Sequence, residues 1–502
     1  MKTTWSFYGR ARERADILRL IHRGHWFFCS ITGRRRIGKT TLIRNAVKEA
    51  GVRAFYVQMP DSDAFGVVNA MRDAVEDHEM TDIVNPEKIR SLADVAQAVG
   101  AICRSGCIVV IDEFQYFHRK ALYEFTSYLQ NDVDRLREID VGGGLFVLGS
   151  IHTEMTAILE DQSSPLFNRL TDRLQLGHWD FATLVEMFRA HGIEDPRAWL
   201  FFWTLFEGVP KFYHDAWQQD ALTGDDGHRR VALTRLFLEG LSPLRDEAEN
   251  WFLRELRGRY DSVLKVVAAR QPCSHAELRD AFKAEAGDEK QLGGYLKILI
   301  ERYSMIEMRK PIFSADRQRN ARYVITDNFL SAWLVALGRA ADLARIQPVE
   351  RAVVRADERL TNLEGFAFEK MIREVLRQAS ANGKGPISLT MMVEGWWDKP
   401  DSGLSNIEID VIGVDTDAER ILFGSCKRSA DKHTGASLAK SRAHIESFLS
   451  TKLGANYRRY EQIHYAFAPV IGVDRRHEIT THGFVPMDLL EFAQAVMTRK
   501  NL

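Results

Sequence analysis

A loop near the start of the chain limits most strongly what its first part can fold into. Residues Gly33 to Thr40 read Gly-Arg-Arg-Arg-Ile-Gly-Lys-Thr, and Thr41 follows. An apolar run over residues 26–31 precedes the loop, and a helical pattern over residues 41–50 follows it. A strand, a loop with this spacing and a helix predict a cradle in which backbone N–H groups bind phosphate. A chance match in a glycine-rich turn is the alternative interpretation.

The end of this loop carries the side chains that nucleotide chemistry requires. We expect the ammonium of Lys39 to contact the β- and γ-phosphates and the hydroxyl of Thr40 to bind Mg²⁺. The residues predicted to bind the nucleotide here are Gly33, Arg34, Arg35, Arg36, Ile37, Gly38, Lys39, Thr40 and Thr41.

A second motif supplies carboxylates. Residues 108–111 are apolar, and Asp112 and Glu113 follow them directly. A buried parallel strand brings its last residues to the edge at which open α/β sheets bind ligands. We therefore predict Asp112 as a ligand of Mg²⁺ and Glu113 as the general base that polarises the attacking water. The alternative is a strand end with two solvated acids.

The other apolar runs of the first part, at residues 54–57, 145–148 and 173–176, alternate with helical patterns. Nearly unbroken apolar strands separated by helices predict an α/β fold with a parallel sheet buried on both faces.

Composition narrows the class of protein further. Hydrophobic residues make up 45% of the 502 residues and charged residues 27%, which is typical of a soluble globular protein. The formal net charge of -1 provides no global basic field for nucleic acid. The five cysteines show no paired CxxC spacing, which favours a reducing compartment. Because no signal-peptide core or membrane-spanning run is found, we predict a cytoplasmic protein without a membrane partner.

The length predicts about three domains, which we divide by composition and pattern. Three helical patterns and two short extended segments between residues 262 and 327 have the order of a winged helix. Ser274 and Glu277 form a capping box, residues 291–302 would be the recognition-type helix, and residues 302–322 carry more basic than acidic residues. Contact with DNA and packing on the ATPase core are both open for this module. The predicted domains are a P-loop core (1–180), a helical lid (181–240), a winged helix (241–348) and a last α/β domain (355–502), with a boundary in the charged stretch 349–359.

Three segments together resemble a known family. They are the Gly33–Thr40 loop, the Ile-Asp-Glu-Phe-Gln-Tyr segment from Ile111, and the opening Phe-Tyr-Gly-Arg from Phe7 with Glu13. They look like those of the prokaryotic and archaeal-type ATPases related to the STAND branch of AAA+ proteins. The resemblance covers most of the chain, and it implies a P-loop NTPase core of the ASCE and AAA+ type that takes ATP and Mg²⁺.

The resemblance also implies roles for five further residues. Gly9 and Arg10 would lie beside the adenine, and Ser150 would be the polar sensor near the γ-phosphate. Arg169 would approach the γ-phosphate, and Pro210, in a Glu-Gly-Val-Pro segment, would pack on the base from the lid. Ordinary structural roles stay open as alternatives: a helix cap for Ser150, an ion pair for Arg169 and a loop proline for Pro210.

The last part of the chain resembles the PD-(D/E)xK, or restriction-endonuclease-like, fold. Its pattern is Glu369 on a helix, Asp410 on a strand and Lys427 at the end of the next strand. This implies acidic groups that hold a divalent metal on a scissile phosphate, with Lys427 positioning the nucleophile. One position departs from the pattern, because Ser425 stands where an acid is expected. Glu446 on the following helix is an alternative acid.

A hydroxyl is a poor substitute for a metal-bridging carboxylate, so we expect a degenerate module that binds nucleic acid or a partner. The sequence therefore predicts an ATP-hydrolysing switch whose nucleotide state controls this module. Two alternatives stay open: an ATP-dependent DNA nuclease that defends against foreign DNA, and a non-hydrolysing adaptor that holds nucleotide structurally. The expected partners are ATP and ADP, DNA or a protein at the winged helix and C-terminal domain, and further copies of the chain in a homo-oligomer.

Overall fold

A computed structural model describes residues 4–139, 142–150, 152–240, 242, 244, 245, 247, 259–286, 291–314, 320–398 and 407–497. These residues fold into two units. The first comprises Gly9–Trp179 together with Val209–Lys211, and the second comprises the rest of the described chain.

The first unit is built on a parallel sheet. Its strands are β1 (Phe27–Gly33), β2 (Ala54–Gln58), β3 (Ile108–Asp112), β4 (Gly144–Gly149) and β5 (Asp172–Leu176), in the order β2-β3-β4-β1-β5. The predicted apolar runs coincide with these strands, so the predicted α/β fold with a parallel sheet is confirmed. The helices of this unit are α1 (Ala11–His22), α2 (Lys39–Ala50), α3 (Ala64–Asp77), α4 (Leu92–Arg104), α5 (Glu124–Glu138) and α6 (His152–Leu159).

Burial of the central strands holds this unit together. All five residues of β3 and all six of β4 are buried. Side chains such as Phe55, Val109 and Val147 belong to one continuous apolar core with residues of α3, α4 and α5. Each fully buried side chain of this kind stabilises the fold by roughly 1.5–3 kcal/mol. This core fixes the carboxyl ends of the strands, where the polar side chains of the candidate site lie.

Four helices follow β5: α7 (Phe181–Ala190), α8 (Pro196–Phe206), α9 (Pro210–Gln218) and α10 (His228–Leu233). Asp180 and Asp195 cap the first two by accepting hydrogen bonds from the backbone N–H groups of Thr183 and Arg197. Every residue of α8 except Arg197 is buried, so this helix lies in the interior of the second unit.

Three helices and a small antiparallel sheet come next along the chain. The helices are α11 (Arg259–Arg270), α12 (His275–Ala286) and α13 (Leu292–Glu301), and the strands β6 (Cys273–Ser274), β7 (Ile306–Arg309) and β8 (Arg322–Ile325) pair in the order β6-β8-β7. The predicted capping box is confirmed, because Glu277 Oε2 accepts from Ser274 N at 2.7 Å and Ser274 Oγ accepts from Glu277 N at 3.3 Å. The predicted basic residues Arg317 and Arg319 lie outside the described residues.

Two short helices, α14 (Asn328–Ala332) and α15 (Gly338–Ala344), lead to the last part of the second unit. There, α16 (Val349–Ala381) is followed by β9 (Glu394–Asp398), β10 (Ile407–Asp415), β11 (Arg420–Cys426), α17 (Gly435–Ser450), β12 (Glu461–Ala468), α18 (Val473–Thr481), β13 (Val485–Asp488) and α19 (Leu489–Met497). The strands form a mixed sheet in the order β13-β12-β11-β10-β9. β9, β10 and β11 pair antiparallel, whereas β11, β12 and β13 pair parallel.

Two local predictions in this part were wrong. The charged stretch 349–359, expected to be a boundary, is the start of the 33-residue helix α16. Its charges alternate with Ala352, Val353 and Ala356, which are buried, so the stretch is an amphipathic helix rather than a linker. The sequence of residues 387–394 also predicts an extended segment, whereas β9 begins only at Glu394.

Within the described ranges, no helix combines the length and apolar composition needed to cross a bilayer.

Candidate functional site

The loop between β1 and α2 has the backbone geometry of a tight cradle. A Cβ atom at Gly33 would lie 2.6 Å from the carbonyl oxygen of Leu176, so only glycine fits there. Gly38 has a φ of 92°, in the left-handed region that favours glycine, and α2 begins at the next residue. Of the arginines between them, Arg36 also has a positive φ of 66°. The two glycines therefore let the loop curl back over the N-terminus of α2.

Lys39 is folded onto this loop. Its Nζ donates to the carbonyl oxygens of Gly33 at 2.9 Å and of Arg34 at 3.2 Å. Burial lowers the pKa of Lys39 to about 8, although Glu113 and Asp112 act in the opposite direction. The ammonium is thus buried within the loop, with carbonyl oxygens in the positions that phosphate oxygens could take. Arg35 and Thr41, in contrast, are exposed.

Asp112 receives hydrogen bonds from two hydroxyl groups. Thr40 Oγ1 donates to Asp112 Oδ2 at 2.5 Å, and the hydroxyl of Tyr56, from β2, donates to the same oxygen at 2.9 Å. Burial, followed by the charge of Asp112, raises the pKa of Tyr56, so its phenol keeps its proton and acts as a donor. The structure therefore brings together the two predicted metal ligands and adds Tyr56, which the sequence analysis missed. Only the pairing of β2 with β3 in the sheet shows that Tyr56 lies beside Asp112.

Glu113 lies in a second polar group at the ends of β3 and β4. Two groups donate to Glu113 Oε2: the side-chain amide of Gln115, and the hydroxyl of Ser150 at 3.4 Å. The backbone N–H of Ser150 in turn donates to Gln115 Oε1 at 3.3 Å. Glu113 has a φ of 57°, an uncommon conformation for a residue other than glycine. Gln115 is 1% exposed and was not predicted as a site residue, although it stands only two positions after Glu113.

Arg10 contacts the loop itself. Its Nη2 donates to the carbonyl oxygens of Ile37 at 3.2 Å and Gly177 at 2.6 Å, and its Nη1 pairs with Glu13 at 3.0 Å. The preceding Gly9 has a φ of 63° and turns the chain into α1. Arg10 thus fixes the backbone of the loop, and the predicted position of Gly9 and Arg10 beside an adenine stays a prediction.

The structure shows the contacts of two other residues for which the resemblance implies a role, Pro210 and Arg169. The ring of Pro210, the first residue of α9, approaches Gly38: a Cβ atom there would lie 4.0 Å from Pro210 Cγ. Arg169 forms a two-point ion pair with Asp134 of α5, with Nε–Oδ1 and Nη2–Oδ2 distances of 2.9 and 3.0 Å. The ion pair is the alternative that the sequence left open for Arg169, so a contact with a γ-phosphate would require this pair to open.

A second polar cluster lies at the ends of β10 and β11. Asp410 Oδ2 accepts from the backbone N–H of Cys426 at 2.7 Å and lies 3.7 Å from Lys427 Nζ. Ser425, on β11, is 5% exposed. Burial first, and then the neighbouring Asp410, raise the pKa of Glu369 on α16 to about 8. Glu369, Asp410 and Lys427 therefore lie in one cluster, and the divalent-metal site that the resemblance implies there stays a prediction.

A buried arginine adds positive charge to this cluster. Arg373, one turn after Glu369 on α16, is 5% exposed. Its Nη1 donates to the carbonyl oxygen of Asp410 at 3.3 Å and lies 3.9 Å from Glu369 Oε2, and its Nε lies 3.9 Å from Glu394 Oε2. Among the described residues, no group of three or more His, Cys, Asp or Glu side chains is arranged to hold a metal ion. Glu446, the alternative acid, is exposed. Burial lowers the pKa of His464, and the negative charge of Glu446 opposes that shift.

Comparison with known proteins defines the class of the first unit. Residues 7–196 match a family described as an ATPase domain predominantly from Archaea. With the parallel sheet and the loop at Gly33–Thr40, this match defines the protein as a P-loop ATPase. Residues 333–438 match a second family, described as Archaea bacterial proteins of unknown function.

Several relatives extend over most of the chain. An uncharacterized protein of Methanocaldococcus jannaschii is 24% identical over 446 residues, which are 84% of this chain and 87% of that protein. A Walker-type ATPase of Pyrococcus abyssi is 18% identical and has a TM-score of 0.49, covering 65% of this chain and 96% of its own. The Aeropyrum pernix ORC2 protein is 14% identical with a TM-score of 0.45, covering 71% and 95%. At these TM-scores, neither structural likeness bears on function.

Proposed function

We propose that the protein is an ATP-driven switch of the STAND-like AAA+ branch. In this proposal ATP hydrolysis in the first unit controls a C-terminal restriction-endonuclease-like module that binds rather than cuts. The observation that carries it is the placement of Asp112 and Glu113 at the end of β3, hydrogen-bonded to Thr40 and Ser150. A strand end with two solvated acids would have neither contact.

Phosphate binding begins with Lys39 and the start of α2. The β- and γ-phosphate oxygens replace the carbonyl oxygens of Gly33 and Arg34 as partners of the Lys39 ammonium. The anionic phosphates favour the charged form of this buried lysine. The free N–H groups at the start of α2 add donors for the same phosphates.

Thr40 and Asp112 are the residues that would hold Mg²⁺. A hydroxyl and a carboxylate oxygen 2.5 Å apart form the oxygen donor set that Mg²⁺ prefers, together with water and phosphate oxygens. A bound Mg²⁺ would neutralise charge on the β- and γ-phosphates. The Tyr56 hydroxyl, 2.9 Å from Asp112 Oδ2, keeps that carboxylate oriented.

Glu113 accepts a proton from the attacking water. Gln115 and Ser150 both contact Oε2 of its carboxylate, which leaves Oε1 to face the water. As the water oxygen attacks the γ-phosphorus, its proton moves to Glu113, and the neutral donors on Oε2 keep the carboxylate aligned. Through its contact with Glu113, Ser150 would respond to the γ-phosphate, which is the sensor role that the resemblance implies for it.

Glu113→Gln tests the proposed role of Glu113 as the general base. The amide keeps the shape and the neighbouring Asp112 but cannot take the proton, so we expect ATP to bind normally and turnover to fall by roughly 10²-fold or more. ATP affinity by calorimetry and phosphate release by a coupled assay measure the two effects. Glu49→Gln, an exposed carboxamide control on α2, should leave turnover unchanged. Wild-type turnover in Glu113→Gln would assign the base to another group.

The remaining modules extend the proposal. The α11–α13 helices with β6, β7 and β8 support a winged helix, and residues 181–240 support a lid that carries Pro210. These modules are the proposed surfaces for a DNA or protein partner. In a homo-oligomer, Arg169 could act at a γ-phosphate once its pair with Asp134 opens.

A buried junction supports the control of the C-terminal module by nucleotide. Glu207 lies three residues before Pro210 and is 7% exposed. Its Oε1 lies 2.8 Å from Nζ of Lys370, the residue next to Glu369 on α16, and its Oε2 accepts from the backbone N–H of Asn328 at 3.4 Å. A shift of Pro210 when nucleotide binds would therefore move Glu207 and bias α16 through this ion pair, in which Glu207 is buried and Lys370 half-buried.

Lys370→Met tests this junction, because it keeps the aliphatic stem and removes the charge. We expect nucleotide affinity to stay unchanged, while the change in hydrogen exchange of residues 363–376 and 407–427 on ATP binding is lost. Arg377→Met is the matched control, since Arg377 lies on the same helix and pairs only locally with Glu374. A full exchange response in Lys370→Met would remove the junction from the proposal without affecting the ATPase.

The alternative of an active nuclease receives less support. Ser425 lacks the carboxylate that the pattern requires, and Lys427 and Arg373 supply fixed positive charges beside Asp410. A carboxylate already neutralised by protein cations attracts a divalent metal weakly. These observations favour a binding module, and Mn²⁺-dependent cutting of plasmid that is lost in Asp410→Ala would contradict them.

A further inference from the structure

A small cleft lies beside the cluster at the ends of β10 and β11. Its volume is about 170 Å³, and one wall is formed by Asp410, Ser425 and Lys427. The facing wall is formed by Ser437, Lys440, Ser441 and His444 of α17. The space is therefore bounded by α17 on one side and by the neighbouring strands β10 and β11 on the other, and both sides carry hydroxyl and ammonium groups.

The carboxylates at this cleft already have cationic or N–H partners. Asp410 accepts from Cys426 N at 2.7 Å and faces Lys427 Nζ at 3.7 Å. Glu408, which also lines the cleft, forms an ion pair with Arg322 of β8 at 2.6 Å. Neither carboxylate is thus left to attract a cation into the space.

Positive charge, in contrast, remains available. Lys440 is exposed and forms no ion pair with another of the described residues. Lys427 lies at the outer limit of an ion pair with Asp410 and keeps about a third of its side chain exposed, at 35%. The hydroxyls of Ser425 and Ser437 can donate to an anion held between the two ammonium groups. The hydroxyl of Ser441 can do so once it leaves the carbonyl oxygen of Ser437, to which it donates at 3.1 Å.

The residue at position 425 decides the sign of the net charge in the cleft. A carboxylate there would add one negative charge beside Asp410 and create a pair of acids suited to a divalent cation. With Ser425, the ionised side chains that line the cleft are Lys427 and Lys440 against Asp410 and Glu408. Because Asp410 faces Lys427 and Glu408 pairs with Arg322, the charge of Lys440 remains, so the local charge favours an anion.

We propose that this cleft binds a phosphate group without a metal ion, and that the phosphate belongs to a nucleic-acid backbone. The inference rests on the proposed function, because it names the ligand class of the C-terminal binding module. Lys427 and Lys440 neutralise the phosphate, and the serine hydroxyls on α17 orient it. Free phosphate has the same chemistry and is the second source that the experiment must separate.

The test uses the full chain, a short fluorescein-labelled DNA duplex and excess EDTA, with binding followed by anisotropy at several salt concentrations. We expect wild-type protein to bind in EDTA. Lys427→Met and Lys440→Met should each raise Kd by roughly 3- to 10-fold and lower the salt slope by about one. Lys432→Met is the matched control, because Lys432 is an exposed lysine close in the chain that does not line the cleft.

Three further experiments distinguish this proposal from its alternatives. Ser425→Glu should weaken DNA binding more than Ser425→Gln does, because only the former restores negative charge. Competition by inorganic phosphate at far lower concentration than DNA phosphate would assign the cleft to a small phosphate instead of a nucleic acid. Without nucleotide, Lys39→Ala should bind DNA as wild type does, so failure of the P-loop proposal is distinguishable from failure of this one. Equal DNA affinity in wild type and in the Lys427→Met, Lys440→Met double variant would overturn the proposal.

Discussion

The P-loop site and the C-terminal cluster both place an aspartate near the end of a buried strand with a lysine nearby, but different groups face the two aspartates. Asp112 receives hydrogen bonds from the neutral hydroxyls of Thr40 and Tyr56. Asp410 faces Lys427, and the buried Arg373 binds its backbone carbonyl. The same side chain is therefore oriented by neutral donors in one site and neutralised by cations in the other.

This difference has a chemical consequence. Hydroxyl donors fix the direction of a carboxylate but leave its negative charge available to a cation. Lysine and arginine fix the direction equally well and cancel the charge. This difference supports the two proposals, that the P-loop site takes a metal with its nucleotide and that the C-terminal cleft takes an anion.

Lys39→Ala should have the largest effect. It removes the ammonium that the P-loop folds around, so we expect the affinity for ATP to fall by roughly 10²-fold or more. Calorimetry with ATP and Mg²⁺ measures this, and Lys48→Ala, at an exposed lysine on the same helix, is the control. Unchanged affinity in a folded Lys39→Ala variant would remove the loop from the nucleotide site.

The pH dependence of ATP binding tests the contribution of the charge on Lys39. Because burial lowers the pKa of Lys39 to about 8 in the nucleotide-free protein, its ammonium loses its proton as the pH rises through 8. Affinity for ATP should therefore weaken between pH 7 and pH 9. An affinity that is constant across this range would mean that Lys39 keeps its charge at all these pH values.

Tyr56→Phe should have a smaller effect on the same site. The phenylalanine keeps the packing of β2 but removes the hydroxyl that donates to Asp112 at 2.9 Å. One hydrogen bond to a charged group is worth about 1.5–3 kcal/mol, so we expect turnover to fall by roughly 10- to 100-fold, with ATP affinity less changed. Steady-state kinetics at several Mg²⁺ concentrations test this. An unchanged Mg²⁺ dependence would show that Tyr56 does not orient the carboxylate.

The sequence predicted one site more fully than the other, for physical reasons. The loop at Gly33–Thr40 and the strand before Asp112 are local patterns in which spacing alone fixes the backbone. Tyr56 and Gln115 could not be found in that way, because their roles depend on which strands are neighbours in the sheet. In the C-terminal cluster, the resemblance to the restriction-endonuclease-like fold indicated Glu369 and Asp410, but only the packing of α16 could reveal the buried Arg373.

Glu369→Gln tests the electrostatics of the C-terminal cluster through stability. Burial and the neighbouring Asp410 raise the pKa of Glu369 from its ordinary 4.5 to about 8. Between these values the folded protein holds a proton that the unfolded chain releases, so this carboxyl destabilises the fold increasingly as the pH rises through that range. The uncharged variant should therefore melt at a higher temperature than wild type at pH 8.5 and similarly at pH 4.5. A lower melting temperature at pH 8.5 would show that the charged Glu369 is well compensated by Arg373.

Ser425→Glu should give the smallest effect, and it bears most directly on the comparison between the two sites. The new carboxylate would stand two residues before Lys427, beside Asp410, and the pair could share one divalent cation. We expect weak Mn²⁺ or Mg²⁺ binding in the variant by calorimetry on nucleotide-free protein, above the wild-type level. Ser425→Gln, which has the same size without the charge, is the control.

The gain in metal binding should be limited by burial and by the protein's own cations. Ser425 is 5% exposed, so a carboxylate there loses hydration, and we expect a lower melting temperature without metal that rises again when Mn²⁺ is added. Lys427 and Arg373 compete with the metal for the same negative charge, which is why the expected affinity is weak. Tight metal binding by the wild-type protein, lost in Glu446→Gln, would instead show that the missing acid comes from α17 and that this module can cut. No metal binding by Ser425→Glu would mean that the fixed cations alone decide the charge of the cluster.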